Sequence, residues 1–192
     1  ANPAGSRASS RVTSTAAATL LPSHQNMAAR GVESVAEALY TVENYPEAEQ
    51  AALALVAERT KSLGAEHPET LRARVLLAQI LFKLDKDAES EAQLQKLLPI
   101  MTRVFGAEHR ETLVCHSSLL KTLGSQGRDA AAEEPFRRLI ATETRVLGPE
   151  DAETLKTRRY FARGLWDLKK IDEAAQEYRQ VLGICERTLG AE

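Results

Sequence analysis

The stretch "LGAEHPETL" at Leu63–Leu71 returns as "FGAEHRETL" at Phe105–Leu113 and as "LGPEDAETL" at Leu147–Leu155, and "LGAE" opens it again at Leu189–Glu192. Each return comes 42 residues after the last. No other feature of the 192 residues limits the fold so tightly, because such a period requires stacked units that contact only their neighbours. Composition selects the kind of unit: 43% hydrophobic residues, seven prolines and 27% charged residues suit helices and give strands little to work with. The expected class is an all-α solenoid, with repeats at about 26–64, 65–106, 107–148 and 149–190.

Within one period, Pro68 to Leu84 sets Leu71, Leu77, Ala78, Leu81 and Leu84 along one helical stripe, interrupted by Arg74. This is helix A. Pro68 suits a first turn, where a missing amide hydrogen is no loss, and His67, His109 and Asp151 stand just before that turn as caps. A second pattern, helix B, carries Ala88, Leu94, Leu97, Leu98, Met101 and Phe105 in one copy and Ala130, Phe136, Leu139, Ile140 and Leu147 in the next. It ends at Gly64, Gly106, Gly148 and Gly190, where a helix terminus calls for positive φ. The repeated phrase is thus a helix stop, a turn and a helix start.

Columns 42 apart show where packing constrains the chain. Small residues recur at Ala36, Ala78 and Ala162 and at Ala48, Ser90, Ala132 and Ala174, and large apolar ones at Leu39, Leu81, Leu123 and Leu165 and at Leu55, Leu97, Leu139 and Val181. Pro99 and Pro135 fall inside helix B and predict bends; the small residues in the Pro99 column, Ala57, Ala141 and Gly183, predict a crowded point there.

These columns resemble the tetratricopeptide repeat (TPR), and the 42-residue length with "LGxEHPxTL" between units resembles its kinesin light chain subtype. The resemblance covers about residues 26–190; the first unit departs from it, with Leu21, Pro22 and His24 where the phrase would stand. It implies a right-handed solenoid of about four helix–turn–helix units. A chain made almost wholly of such units is also similar to the bacterial kinesin light chains that accompany bacterial tubulin homologues. That similarity implies a protein partner, with an acidic tubulin-like filament as the specific candidate, and a cytoplasmic setting.

The net charge of −2 argues against a general nucleic-acid binder, which depends on cations meeting phosphates. Three of the 25 basic residues (Arg7, Arg11, Arg30) and none of the 27 acidic ones precede Glu33, so the rest carries 22 against 27, a balance of −5. Residues 1–25, rich in Ser, Ala and Thr, read as a flexible basic tail. Cys115 and Cys185 stand in different repeats with no CxxC or Cys/His cluster, so reduced structural thiols are expected. No apolar run approaches the roughly 20 residues of a membrane span.

No nucleophile–base pair, metal-ligand set, cofactor motif or phosphate-binding glycine loop is written in the chain, and a non-enzymatic adaptor is expected. Gly124 and Gly127 in "LGSQGRD" read as the close of a helix A. The TPR resemblance implies that helix A lines a concave groove. Its groove positions fall on Arg72, Val75, Gln79, Phe82 and Lys83, then Val114, Ser117, Lys121, Gly124 and Ser125, then Lys156, Arg159, Arg163, Trp166 and Asp167. Arg30, Glu33, Glu37, Tyr40 and Thr41 are the first unit's set.

The partner-binding set is Arg72, Gln79, Phe82, Lys83, Lys121, Lys156, Arg159, Arg163 and Trp166, its cations outnumbering Asp167 six to one over the last three units. Tyr40, Phe82 and Trp166 share a column and read either as packing between A helices or as aromatic anchors. Two functions fit: an adaptor that binds an acidic protein segment in the groove, or a sensor or assembly module within a larger signalling protein.

Overall fold

The computed structural model describes residues 35–189, with side chains to 188. The basic tail, the start of the first unit at Asn26, the groove positions Arg30 and Glu33, and the phrase residues Gly190 and Glu192 lie outside the described residues. Eight helical segments and no strand are present among them: 35–41 (α1), Tyr45–Leu63 (α2), Pro68–Lys83 (α3), Asp87–Phe105 (α4), Arg110–Ser125 (α5), Asp129–Val146 (α6), Ala152–Asp167 (α7) and Ile171–Leu189 (α8). From α2 onward each helix packs on its chain neighbours, and the remaining contacts are α3 with α5 and α5 with α7. The A helices therefore form one continuous inner row. The architecture is the all-α repeat solenoid that the period required.

Each junction is built from local chemistry. The His67 and His109 Nδ1 atoms accept the Glu69 and Glu111 amides at 3.3 Å, and Asp151 Oδ1 accepts that of Glu153 at 2.9 Å, so all three phrase residues cap their helices. Before them, Gly64 and Gly106 lie at φ 99°, ψ 159° and φ 102°, ψ 154°. Only glycine enters that region readily. The turn between helices A and B carries a second periodic device: Glu43, Asp85, Gly127 and Lys169, successive residues of one 42-residue column, all have φ between 57° and 72°. Three of the four are not glycine. Gly127 thus makes a turn, as expected, whereas Gly124 lies inside α5 and does not close it.

The small-residue columns are fully buried at Ala36, Ala78 and Ala162 and at Ala48, Ser90, Ala132 and Ala174, where A and B helices approach. Around them pack Leu55, Leu97, Leu139, Leu81 and Leu165, with Leu39, Leu123 and Val181 half-buried. Two expectations fail. Ala88 and Ala130, placed on the B stripe, are exposed because they sit in the first turn, ahead of the buried face. Pro99, Ala57 and Ala141 are exposed too and Gly183 is half-buried, so solvent on the outer helix face, not crowding, explains that column.

Ion pairs repeat with the fold. Lys86, Arg128 and Lys170 donate to Glu49, Glu91 and Glu133 at 2.7, 2.7 and 2.6 Å, each pair 37 residues apart. A second column joins Arg103 to Glu66 at 2.7 Å, Arg145 to Glu108, and Arg187 to Glu150 at 3.8 Å. The first column thus puts one rung across each junction between described units, and the second ties the start of each unit to the end of its own helix B. Exposed pairs contribute roughly 0–1 kcal/mol apiece; the larger share of each junction's stability comes from the apolar burial beneath them.

Candidate interaction groove

The inner row gathers side chains from successive A helices around one open recess of about 350 Å³. Lys83 closes α3, Lys121 stands in the last two turns of α5, and Lys156 and Arg159 project from the first half of α7; all four border it. Tyr40, Tyr160 and the Gln79–Ser118 pair, bonded at 3.1 Å, complete much of the wall. Five of the nine residues of the partner-binding set are thus brought together, Gln79, Lys83, Lys121, Lys156 and Arg159, beside the groove positions Tyr40, Val114 and Ser117.

The cations differ in their surroundings. Lys156 bonds Glu153 at 2.8 Å, one turn back, and Glu153 itself lines the recess. Lys83 stands 5.6 Å from the Tyr45 ring and Arg159 5.6 Å from that of Tyr160. Lys121 Nζ lies 3.9 Å over Phe82 and 5.2 Å from Tyr160, held by ring faces. Burial, with Lys83 and Lys156 nearby, pushes its amine down from 10.5 to about 8, against the smaller pull of Asp87 and Glu153.

Other predicted residues stand elsewhere. Arg72 turns to Glu111 at 3.0 Å and over the Phe105 ring, bracing a junction and leaving the recess. Val75 is buried core. Phe82 is the seat beneath Lys121 and, with Arg163, borders a smaller neighbouring recess of about 20 Å³. Trp166 is 54% exposed and lines neither recess, so the aromatic column does not converge. Gly124 interrupts that column for a packing reason: a Cβ there would stand 3.0 Å from Asp129 Oδ1, and one at Gly164 2.8 Å from the same atom. Glu111 and Glu153 also revise the charge balance, since each neutralises a predicted groove cation.

Tyr160 was not among the predicted residues. Its column reads Leu76, Ser118, Tyr160, and no common residue type marks it. His67 and His109 serve as caps, and among the described residues no group of three or more His, Cys, Asp or Glu side chains is placed to hold a metal. Cys115 is a buried free thiol, pushed up to about 12 by burial, and so is inert. No described helix is long and apolar enough to cross a membrane.

Models of the tetratricopeptide repeat match residues 28–100, 73–142 and 154–192. The chain belongs to the tetratricopeptide repeat family. Among solved structures, this TPR chain resembles BtubC (BKLC) of P. vanneervenii with a TM-score of 0.67 at 13% identity, over 81% of this chain and 61% of that one. It also aligns with the nearly identical TPR-like repeats of a Podosopora anserina protein named for the kinesin light chain, at 18% identity and a TM-score of 0.45, over 86% and 98% of the two chains. The BtubC likeness is one of fold, and the TPR chain spans about three-fifths of that protein's length. No curated protein sequence matches it.

Proposed function

We propose that this TPR chain is a non-enzymatic adaptor that binds an acidic protein segment along the inner row of A helices. One observation carries the reading: Lys83, Lys121, Lys156 and Arg159, from three repeats, converge on one recess in a chain of net charge −2. Sign sorted onto one face is what electrostatic docking requires. Among acidic partners, a tubulin-like filament is the candidate that the kinesin light chain resemblance points to.

The test is the triple change Lys156→Glu, Arg159→Glu and Arg163→Glu, read by fluorescence anisotropy with a labelled deca-glutamate peptide and by co-sedimentation with tubulin-type filaments. Both signals should fall by roughly tenfold or more with unchanged helicity, and wild-type affinity should drop as salt rises. Arg138→Glu with Arg179→Glu on the outer helices is the control. Arg137 is unsuited to that role, because it bonds Glu133 and Glu173 and stacks over Phe161. Binding lost in the outer pair and kept in the groove triple would place the partner on the convex side.

A second reading, an assembly module within a larger signalling protein, is favoured by the last helix. Tyr178 and Leu182 are 40% and 58% exposed, at the column positions where Phe136 and Ile140 are buried against α7. On that reading the stacking face carries the interaction, and the groove triple leaves it intact.

A further inference from the structure

Lys86, Lys156 and Lys170 each donate to a glutamate at 2.6–2.8 Å. Lys121 instead rests on two aromatic rings, in the wall shared by both recesses of the groove, with no carboxylate in salt-bridge contact. Beside it, Lys83, Lys156 and Arg159 line the larger recess and leave room for a small anion in about 350 Å³. An amine that no acceptor holds, next to a cluster of cations, is the arrangement a nucleophile needs toward an anionic acyl donor.

We propose that Lys121 accepts an acyl group from an acyl phosphate, whose phosphate is held across the same recess by Lys83, Lys156 and Arg159. The lone pair of Nζ attacks the carbonyl carbon, the bond from that carbon to the phosphate oxygen breaks, and inorganic phosphate leaves with the electron pair. Nζ loses a proton to solvent and becomes a neutral amide. No oxidant or further reactant enters.

The amine's surroundings favour its free base. Lys83 of α3 and Lys156 of α7 repel a further positive charge, Asp87 of α4 and Glu153 of α7 oppose them, and Arg159 of α7, Asp129 of α6, Tyr40 and Tyr160 line the same recesses. The balance, dominated by burial, leaves the amine near 8, so its free-base fraction at neutral pH exceeds that of an ordinary lysine by about two powers of ten. Acylation would also delete one groove cation. That consequence rests on the adaptor reading, whereas the chemistry is read with no partner present.

The test incubates the full chain at pH 8 with acetyl phosphate and, separately, with the uncharged N-succinimidyl acetate, and follows each lysine by peptide mass spectrometry. Lys121 should be acetylated several-fold faster than the exposed Lys61 and Lys96 by both reagents, and its rate should level off above about pH 8. The double change Lys156→Gln and Arg159→Gln, or added inorganic phosphate, should slow the acetyl phosphate reaction at Lys121 and spare the succinimidyl one. Lys121 reacting no faster than Lys61 with both reagents overturns the nucleophile. Fast reaction with the succinimidyl ester alone, or an acetyl phosphate rate indifferent to the double change, overturns the phosphate site.

Discussion

Glu133 and Lys170 close on each other at 2.6 Å across the junction between the third and fourth repeats, and Arg137, one turn further along α6, takes the same carboxylate oxygen at 3.0 Å. Both cations hold the Glu133 carboxyl below its ordinary value. Its contribution is therefore complete above about pH 4.5 and is lost as the pH falls through the lowered value. Glu133→Gln should cost about 1 kcal/mol at pH 7 and much less at pH 3. Glu134→Gln, whose partner Arg138 is largely exposed, should leave the urea midpoint unchanged.

Glu143 runs the opposite way. It is fully buried between α6 and α7, one oxygen accepting from Thr157 at 3.2 Å and the other without a partner. Burial, reinforced by Glu153 and Asp151, pushes its carboxyl up from 4.5 to about 7. A group raised in the folded state stabilises most below its unfolded value, and that stability is lost as the pH rises through about 7. Glu143→Met, which installs the residue its column carries at Met101, should raise stability at pH 8 by about 2–3 kcal/mol and have little effect at pH 4.5. Urea titrations at the two pH values check this; an equal effect at both would contradict the burial of a charge.

Two glycines separate torsional need from space. An added Cβ meets nothing within 4 Å at Gly106, yet φ there is +102°, so Gly106→Ala should destabilise by about 1–3 kcal/mol through backbone strain alone. Gly183 is helical, and the nearest atom to its Cβ would be Arg187 Nη1 at 3.9 Å. Gly183→Ala should stabilise by about 0.5–1 kcal/mol, and opposite shifts in melting temperature are the readout.

In the core, Leu81→Ala should cost about 2–4 kcal/mol, since the side chain is buried beside Ala36, Ala48 and Ile80. Leu123, in the same column but half-buried, should cost less, and the exposed Lys61→Ala nothing measurable. Chemical denaturation of the three variants tests the order, and equal losses would mean that the stripe is misplaced.

The period, the helix pair and the caps were legible because each is written locally and several times over: His67, His109 and Asp151 need only their own turn to act. The A-to-B turn was not, since Glu43, Asp85 and Lys169 adopt positive φ without the glycine that signals it at Gly127. Columns also hide divergence. Arg59, Met101, Glu143 and Cys185 share one position and solve it with a buried cation, a thioether, a raised carboxyl and a half-buried thiol. The groove was legible as a row of positions but not as a site. Whether Arg72 faces a ligand or Glu111 depends on side-chain reach across a junction, and whether Lys156 is free or tied to Glu153 depends on rotamers within one turn of α7.

The rungs at 37 residues have a genetic corollary. Because both charged columns recur every 42 residues, the pairing is indifferent to where a unit is cut: excise residues 66–107 and Glu49 meets Arg128 in place of Lys86. Unequal exchange between the repeats of such a gene would leave no orphaned charge at the new seam. The array's length can drift by whole units while selection sees an unbroken outer surface.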